Sequence, residues 1–167
     1  MTGPRRPREP AHPLDCHERA LRLLAARPRS RRELRDRLLA AGFDADQVEE
    51  ELGRLEAVGL VDDARFARAV AEQHLVRRGA GSRAVLAALA ARGVDRATAE
   101  AALAEVAAAE RVPGEEERAR ALALARVQRL RGLPPERAFE RLVGFLVRRG
   151  HAADTARDAA RSALGLS

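Results

Sequence analysis

The sequence predicts an all-α protein in which three tandem three-helix repeats form an elongated, curved array. Apolar residues recur at helical spacing from residue 14 onward, without strand-like alternation. In addition, Gly42-Phe43-Asp44 aligns with Gly93-Val94-Asp95 and with Gly150-His151-Ala152. A period of about 50 residues suits three helices joined by short loops. Such an array exposes a long surface suited to a large partner rather than a deep pocket.

Composition divides the chain into four segments with different charges. Residues 1–13, rich in Pro and Arg, are predicted to be a flexible arm of charge +2. The repeats are predicted at 14–60, 61–112 and 113–167, with charges of −1, +1 and +4, for a total of +6. A basic C-terminal third indicates contact with a polyanion or an acidic protein surface, although plain solvation of charged faces is an alternative.

The first repeat shows three helix starts. The first helix lies near 15–26 and ends before Pro28. The second begins at Ser30, which forms a capping-box pattern with Glu33, and the third begins at Asp44. The apolar stripes of these helices are Leu21 and Leu24, then Leu34, Leu38 and Ala41, then Val48, Leu52 and Leu55.

The second repeat follows the same order. Asp62 caps the fourth helix and Asp63 lies in its first turn. The fifth helix opens at Gly81 and closes at Gly93, and the sixth opens at Asp95. Their apolar positions are Phe66 and Val70, then Val85 and Leu89, then Ala99, Leu103 and Val106.

The third repeat is the most basic and the richest in alanine. A seventh helix is predicted from Glu115 to about Leu130, because acidic residues favour the N-terminal end of a helix. The eighth begins at Pro134 or Pro135, and the ninth covers about 153–164. Three core positions that hold Val or Leu in the first repeat hold alanine in the third, which predicts looser packing of this repeat. These positions are Ala156, Ala160 and Ala163.

The residues offer no candidate catalytic or metal centre. His12, Cys16 and His17 lie close in sequence, but no fourth ligand of suitable spacing follows. The acidic pair Asp62-Asp63 is interpreted as a helix start. A single cysteine suits a reducing cytoplasm, and no apolar run is long enough for a membrane span. We expect a cytoplasmic, non-enzymatic protein that needs no cofactor and no metal.

Arginine is the best candidate for partner contacts. All 31 basic residues are Arg, while Trp and Tyr, the other residues common in binding hot spots, are missing. The candidates cluster near equivalent helix ends: Arg29, Arg31, Arg32 and Arg35, then Arg77, Arg78 and Arg83, then Arg148 and Arg149. Pairing with the acidic third helix of the same repeat remains open as an alternative; its acids are Glu49, Glu50, Glu51 and Glu56.

Several stretches resemble the RecX regulatory proteins. The stretch Ser30-Arg31-x-Glu33-Leu34-x-x-Arg37-Leu38 is similar to their first repeat, and Gly59-Leu60-Val61-Asp62-Asp63-x-x-Phe66-Ala67 to their most recognisable segment. Gly81-Ser82-x6-Leu89-x2-Arg92-Gly93-Val94 resembles their second repeat, and Leu142-x2-Phe145-Leu146-x-Arg148-Arg149-Gly150 their third. His151 departs from the family, which favours an aromatic residue there. The resemblance implies a modulator that lies along the groove of the RecA–single-stranded-DNA filament and inhibits its ATPase, strand-exchange and coprotease functions.

Two other functions stay open. A helix-turn-helix DNA-binding module should carry Asn, Gln or Arg on its recognition helix. The third helices here, at 47–58, 96–108 and 155–164, are acidic or rich in alanine instead. A scaffold for another protein is the other alternative. The chain has only four Phe, mostly at core-like positions, so few aromatic rings are left to stack on bases. We therefore expect its binding of single- or double-stranded DNA to be weak and non-specific. We also expect the protein to be a monomer.

Overall fold

A computed structural model describes residues 14–166, so the predicted arm at 1–13 lies outside the described residues. Within this range the chain is all-α and contains nine α-helices and no strand, which confirms the predicted fold class. The helices are α1 (Cys16–Ala26), α2 (Arg31–Ala40), α3 (Ala45–Ala57), α4 (Asp63–Ala71), α5 (Ser82–Ala90), α6 (Arg96–Ala109), α7 (Glu115–Val127), α8 (Pro135–Arg148) and α9 (Ala153–Leu164). A π-helical segment, Glu72–Arg77, continues α4, and a 3₁₀ turn, Gln128–Leu130, continues α7. None of the described helices is long and apolar enough to cross a membrane.

Side-chain caps set several helix starts. Ser30 accepts a hydrogen bond from the backbone N–H of Glu33, and the Glu33 carboxylate accepts one from the backbone N–H of Ser30, which completes a capping box. Asp62 and Asp95 each accept from the backbone N–H three residues later. Asp44 accepts from the backbone N–H of Asp46, two residues later. Each bond satisfies a backbone donor that the helix itself leaves without a partner.

Three consecutive groups of helices surround three apolar cores. We call α1–α3, α4–α6 and α7–α9 the first, second and third units. The buried side chains of the first core are Cys16, Ala20, Leu34, Leu38, Val48, Leu52, Leu55 and Val61. Those of the second include Phe66, Leu75, Val85, Leu89, Val94, Ala99 and Ala102, and those of the third include Ala119, Ala123, Leu142, Leu146, Ala156 and Ala160. Val61 packs in the first core, although it lies just beyond the predicted end of the first repeat.

The face that α1 buries differs from the predicted one. Leu21 was expected on the apolar face but is 37% exposed, and Leu24 is half-buried. Cys16 and Ala20 are the buried residues of this helix. Cys16, Ala20 and Leu24 follow at i, i+4 and i+8 and face the first core, whereas Leu21 lies to one side of this stripe.

The third core is built largely from alanine. Ala156 and Ala160 of α9 are fully buried, as are Ala119 and Ala123 of α7. Small side chains let the backbones of α7 and α9 approach each other closely. The looser packing predicted for this core stays a prediction, which a core substitution can test.

The middle helices of successive units meet end to end. The hydroxyl of Ser30, at the start of α2, donates a hydrogen bond to the carbonyl of Arg92, just after α5. In the same way, the backbone N–H of Gly81, at the start of α5, donates to the carbonyl of Arg149, just after α8, at 2.9 Å. The positive end of one helix dipole thus faces the negative end of the next. We call these contacts the first and second junctions.

Glycine is required for the close approach at both junctions. A Cβ atom on Gly81 would lie 2.3 Å from the carbonyl carbon and oxygen of Gly150. One on Gly93 would lie 2.1 Å from Cδ of Arg32. Gly42 occupies the matching position in the first unit, at the end that no described unit covers, and a Cβ there would meet no described atom within 4 Å.

The third unit ends the series of junctions. The helix α8 begins at Pro135, whereas α2 and α5 begin at Arg31 and Ser82. When Leu146 is aligned with its equivalents Leu38 and Leu89, α8 therefore has about one extra N-terminal turn. This turn occupies the position at which a further junction would start.

Candidate interaction surface

Two predicted arginines of the first unit form ion pairs within the chain. Arg31 places Nη2 at 2.7 Å from one carboxylate oxygen of Glu49 and Nε at 2.9 Å from Glu56, while Nε of Arg35 lies 2.6 Å from the other oxygen of Glu49. Hydrogen bonds from Arg31 and Arg35 hold the pKa of Glu49 below its usual value. For these two residues the structure thus shows the pairing with the third helix that was open from the sequence alone.

Arg32 lies at the first junction, and Arg29 lies just before it in the chain. Arg29 is half-buried and donates Nε to the carbonyl of Leu23 at 3.1 Å. Burial lowers the pKa of its guanidinium, and the charges of Arg27 and Arg37 add to this effect. Arg32 covers Gly93 with its aliphatic stem but keeps an exposed head group, with its side chain 65% exposed.

The predicted arginines of the second unit are exposed. Nη2 of Arg77 lies 3.3 Å from a carboxylate oxygen of Glu72 on the same segment. The carbonyl of Arg78 accepts a hydrogen bond at 3.0 Å from Nη1 of Arg149, so these two residues meet across the second junction. Arg83 is exposed on α5.

Three arginines converge in a cleft between α7 and α8. The cleft has a volume of about 430 Å³, and we call it the α7–α8 cleft. Its lining residues are Arg126, Leu130, Glu140, Arg141, Gly144, Phe145 and Arg148. The guanidinium carbon of Arg126 lies 5.0 Å from the centre of the Phe145 ring, and that of Arg149 lies 5.5 Å from it. Although Glu140 shares the lining, none of these arginines forms a salt bridge among residues 14–166, where the ion pairs of the third unit are those of His151 and Arg161.

Position along α8 explains why the cleft is basic. Arg141 and Arg148 lie seven residues apart on the exposed side of this helix. Gly144 lies between them and has no side chain to cover the floor. The two residues are separated by about 10 Å along the helix axis, at 1.5 Å for each residue. Arginine groups held in this way present planar donors suited to phosphate or carboxylate oxygens.

A buried polar cluster of His151, Glu115 and Arg118 lies beside the second junction. His151 is 1% exposed, and its Nδ1 lies 3.6 Å from a carboxylate oxygen of Glu115. Both ring nitrogens, this Glu115 oxygen, and Nε and Nη2 of Arg118 are buried without a hydrogen-bond partner among the described residues. Burial lowers the pKa of His151, and it also lowers the pKa of Arg118.

The carboxylates of Asp62 and Asp63 accept hydrogen bonds at the starts of two different helices. Asp62 accepts from the backbone N–H of Arg65 at 2.8 Å and so caps its own helix. Asp63 instead accepts from the backbone N–H of Arg31 at 2.8 Å, at the start of α2. Burial raises the pKa of Asp63. Both carboxylates therefore have a structural partner in the backbone.

The histidines and the cysteine near the N-terminus do not form a metal centre in the described part of the chain. His12 lies outside it, Cys16 is buried in the first core, and Nδ1 of His17 lies 2.7 Å from Glu51. This hydrogen bond raises the pKa of His17. No group of three or more potential metal-ligating side chains was found among residues 14–166.

Two arginines of the α7–α8 cleft, Arg126 and Arg141, are not among the candidates predicted from the sequence. Arg141 and the predicted Arg148 lie seven positions apart on α8, and that spacing places them on one face. The signal for Arg141 was thus present in the sequence. Arg126 belongs to another helix, and only the packing of α7 against α8 brings it over Phe145.

Comparison with known protein families matches the first two helical units. The family model described as "RecX, first three-helix domain" matches residues 16–55, and that described as "RecX, second three-helix domain" matches residues 62–103. The chain is similar to the regulatory protein RecX of Thermobifida fusca, with 40% identity over 150 residues, covering 87% of this chain and 79% of the relative. It is also 35% identical over 158 residues to that of Streptomyces coelicolor, covering 95% and 81%.

A solved structure supports the fold. The crystal structure of RecX from Lactobacillus salivarius superposes with a TM-score of 0.74 at 20% identity, covering 89% of this chain and 94% of that one. A second crystal structure, of a regulatory protein RecX, gives a TM-score of 0.71 at 20% identity and covers 88% of this chain and 70% of that one.

Proposed function

This chain belongs to the RecX family of regulatory proteins, and from that membership we propose that it binds the RecA–single-stranded-DNA filament and inhibits its recombinase, ATPase and coprotease activities. It acts by binding, as a cytoplasmic monomer without a catalytic group or a cofactor. The alternatives are a helical module that acts directly on DNA and a scaffold for another protein.

The α7–α8 cleft is the observation that carries the proposal. A nucleoprotein filament presents phosphates beside protein surface, and the cleft presents arginines that the described part of the chain does not neutralise. Arg148 and Arg149 then act at or beside the contact, together with Arg126 and Arg141. Hydrogen bonds from charged groups contribute about 1.5–3 kcal/mol each, so a few such arginines suffice for a specific contact.

The other predicted arginines divide into three groups. Arg31 and Arg35 stabilise the first unit through Glu49 and Glu56. The head groups of Arg32, Arg77 and Arg83 are exposed, and the first two form ion pairs with Asp36 and Glu72 on their own helical segments. Arg29 and Arg78 contribute through backbone carbonyl contacts at the first helix and the second junction, respectively.

RecA ATP hydrolysis on single-stranded DNA provides the test. Addition of the chain should inhibit hydrolysis at near-stoichiometric or lower ratios. The double variant Arg141→Glu/Arg148→Glu should need at least about tenfold more protein for the same inhibition, because two charge-assisted contacts become repulsive. The matched control Arg157→Glu/Arg161→Glu changes the net charge equally on another helix of the same unit and should inhibit almost normally. Unchanged hydrolysis over a wide excess of protein would contradict the proposal and favour a scaffold.

Direct DNA binding is the second candidate function, because the same cleft could hold phosphates of free DNA. Three or four cations predict a slope of about −2 to −3 for log affinity against log salt on single strands. None of the four Phe side chains is exposed, so the stacking contribution of about 1–3 kcal/mol per base is absent. Titrations on free single-stranded DNA and on assembled filament at two salt concentrations separate the functions. Equal affinities with equal slopes would favour direct DNA binding.

A further inference from the structure

An open apolar groove lies between the first helices of the first two units. It has a volume of about 720 Å³, and α1 forms one wall while α4 and the loop before it form the other. Leu21 and Leu60 line it and are 37% and 48% exposed. The four other described cavities are lined mainly by polar and charged side chains. This groove therefore brings two exposed large apolar side chains, Leu21 and Leu60, together in one cavity.

Both walls carry their residues at helical spacing. On α1 and just after it, Leu21, Leu24, Ala25 and Pro28 follow at i, i+3, i+4 and i+7; on the other wall, Asp62, Arg65, Phe66 and Ala69 do the same. Two ridges of this kind leave a trough about 10 Å long, which matches about two turns of a third helix.

The groove is flanked by cations that lack acidic partners. Arg29 donates Nε to the Leu23 carbonyl, and Nη2 of Arg65 donates to the Gly59 carbonyl at 2.9 Å. Neither residue forms a salt bridge among residues 14–166, although several other arginines of the first unit do. Asp62, the acid among the lining residues that the structure describes, is already bonded to the backbone N–H of Arg65. An incoming carboxylate therefore finds free guanidinium donors.

We propose that this groove binds an amphipathic helical segment of a partner protein, which inserts two or three large apolar side chains between α1 and α4 and places a carboxylate beside Arg29 or Arg65. The apolar contacts supply affinity, and the two arginines favour an acidic segment over a basic one. The chain's own residues 1–13 are a poor occupant, because their charge is +2 and the groove is flanked by cations.

The test uses the full chain and a fluorescein-labelled peptide that is about four helical turns long. The probe is alanine-based and carries Leu at i, i+4 and i+7 with two flanking Glu residues. It is compared with a version that has Lys in place of Glu and a version that has Gln in place of Leu. We expect saturable anisotropy changes with the Leu/Glu probe, binding of the Leu/Lys probe that is about fivefold weaker or more, and none with the Gln version.

Variants then locate the site. Leu60→Ser and Leu21→Ser should each weaken binding of the Leu/Glu probe by about tenfold or more, because each removes a large apolar contact. Val58→Ser, at a residue that is 70% exposed and outside the groove, is the matched control and should have no effect. Arg65→Gln should reduce the preference for Glu over Lys. Unchanged thermal unfolding of each variant separates lost binding from lost folding.

Several results would overturn the proposal. These are absence of saturable binding of the Leu/Glu probe, equal affinity for the Glu and Lys probes, and equal loss of affinity in Val58→Ser and Leu60→Ser. Displacement of the probe by a synthetic peptide of residues 1–13 would identify the chain's own N-terminus as the occupant. A dimer in sedimentation that dissociates on Leu60→Ser would identify a second copy instead.

Discussion

The first and third units share a three-helix arrangement but use their charged residues differently. In the first unit, Arg31 and Arg35 pair with Glu49 on the next helix. In the third, Arg126, Arg141 and Arg148 surround a cleft and form no salt bridge with any residue of the range 14–166. One fold can thus pair its cations with the neighbouring helix or leave them without an ion pair among the described residues, depending on whether that helix is acidic or rich in alanine.

The cores of the two units differ in a parallel way. Large residues such as Leu52 and Leu55 fill the first core from α3, whereas Ala156 and Ala160 fill the third core from α9. The helices α7 and α9 approach each other closely. Both cores exclude solvent, although their buried side chains differ in volume.

The largest expected effect tests whether the third core is as tightly packed as the first. Leu38 and Leu146 are both fully buried at equivalent positions. We expect Leu38→Ala and Leu146→Ala each to lower the free energy of unfolding by about 2–5 kcal/mol, measured by urea denaturation. A much smaller effect for Leu146→Ala would show that the third core adapts to the lost volume and would support the prediction of looser packing.

The next effect concerns the second junction. We expect Gly81→Ala to destabilise the protein by about 1–3 kcal/mol, because the new Cβ would clash with the backbone of Gly150. Its φ of −69° suits any residue, so steric contact alone is tested. The control Gly53→Ala, in open space within α3, should be neutral or stabilising by about 0.5–1 kcal/mol. Equal Tm values for the two variants would argue against a tight junction.

A smaller effect distinguishes capping from function at the acidic pair. Asp62→Ala should cost about 1 kcal/mol in unfolding free energy as a lost N-cap, and filament inhibition should fall only in proportion to the unfolded fraction. Inhibition lost with unchanged Tm would instead show that the carboxylate contacts the partner.

The smallest effects are pH-dependent and opposite in sign in the two units. The pKa of His151 is lowered from 6.5 by burial, so its stabilising contribution is complete above about pH 6.5 and is lost as the pH falls through the lowered pKa. The pKa of His17 is raised by the hydrogen bond to Glu51, so its contribution is complete below about pH 6.5 and is lost as the pH rises through the raised pKa. Urea unfolding from pH 5 to 8 should show the acid-side loss disappear in His151→Phe and the alkaline-side loss disappear in His17→Gln. An unchanged pH profile in either variant would contradict the assignment.

Local interactions explain which features could be predicted from the sequence. Helix starts at Ser30, Asp62 and Pro135 depend on residues within one turn, and the structure places α2, α4 and α8 there. The ends of the middle helices could also be predicted, from the equivalent glycines at 42, 93 and 150. Each of these glycines has a positive φ angle, between +78° and +93°, which favours glycine after the last turn of a helix.

Tertiary contacts explain which features could not be predicted. The bond from Arg31 to Asp63 joins residues 32 positions apart and has no local signal. From the sequence alone, Arg31 is equally suited to be a free cation or a partner of Glu49, and only the packing of α2 against α3 decides between them. The cleft around Phe145 likewise depends on how α7 and α8 pack.

The extra N-terminal turn of α8 makes the two ends of the array of units different. A duplicated copy of residues 61–112, inserted before the third unit, would present the same glycine-lined helix ends to both neighbours, and a unit added before the first would find open space at Gly42. A unit appended after α9 would meet the extra turn of α8 where a junction has to begin. The two ends of the array thus differ among the described residues: the space beside Gly42 is open at one end, and the extra turn of α8 occupies the matching position at the other.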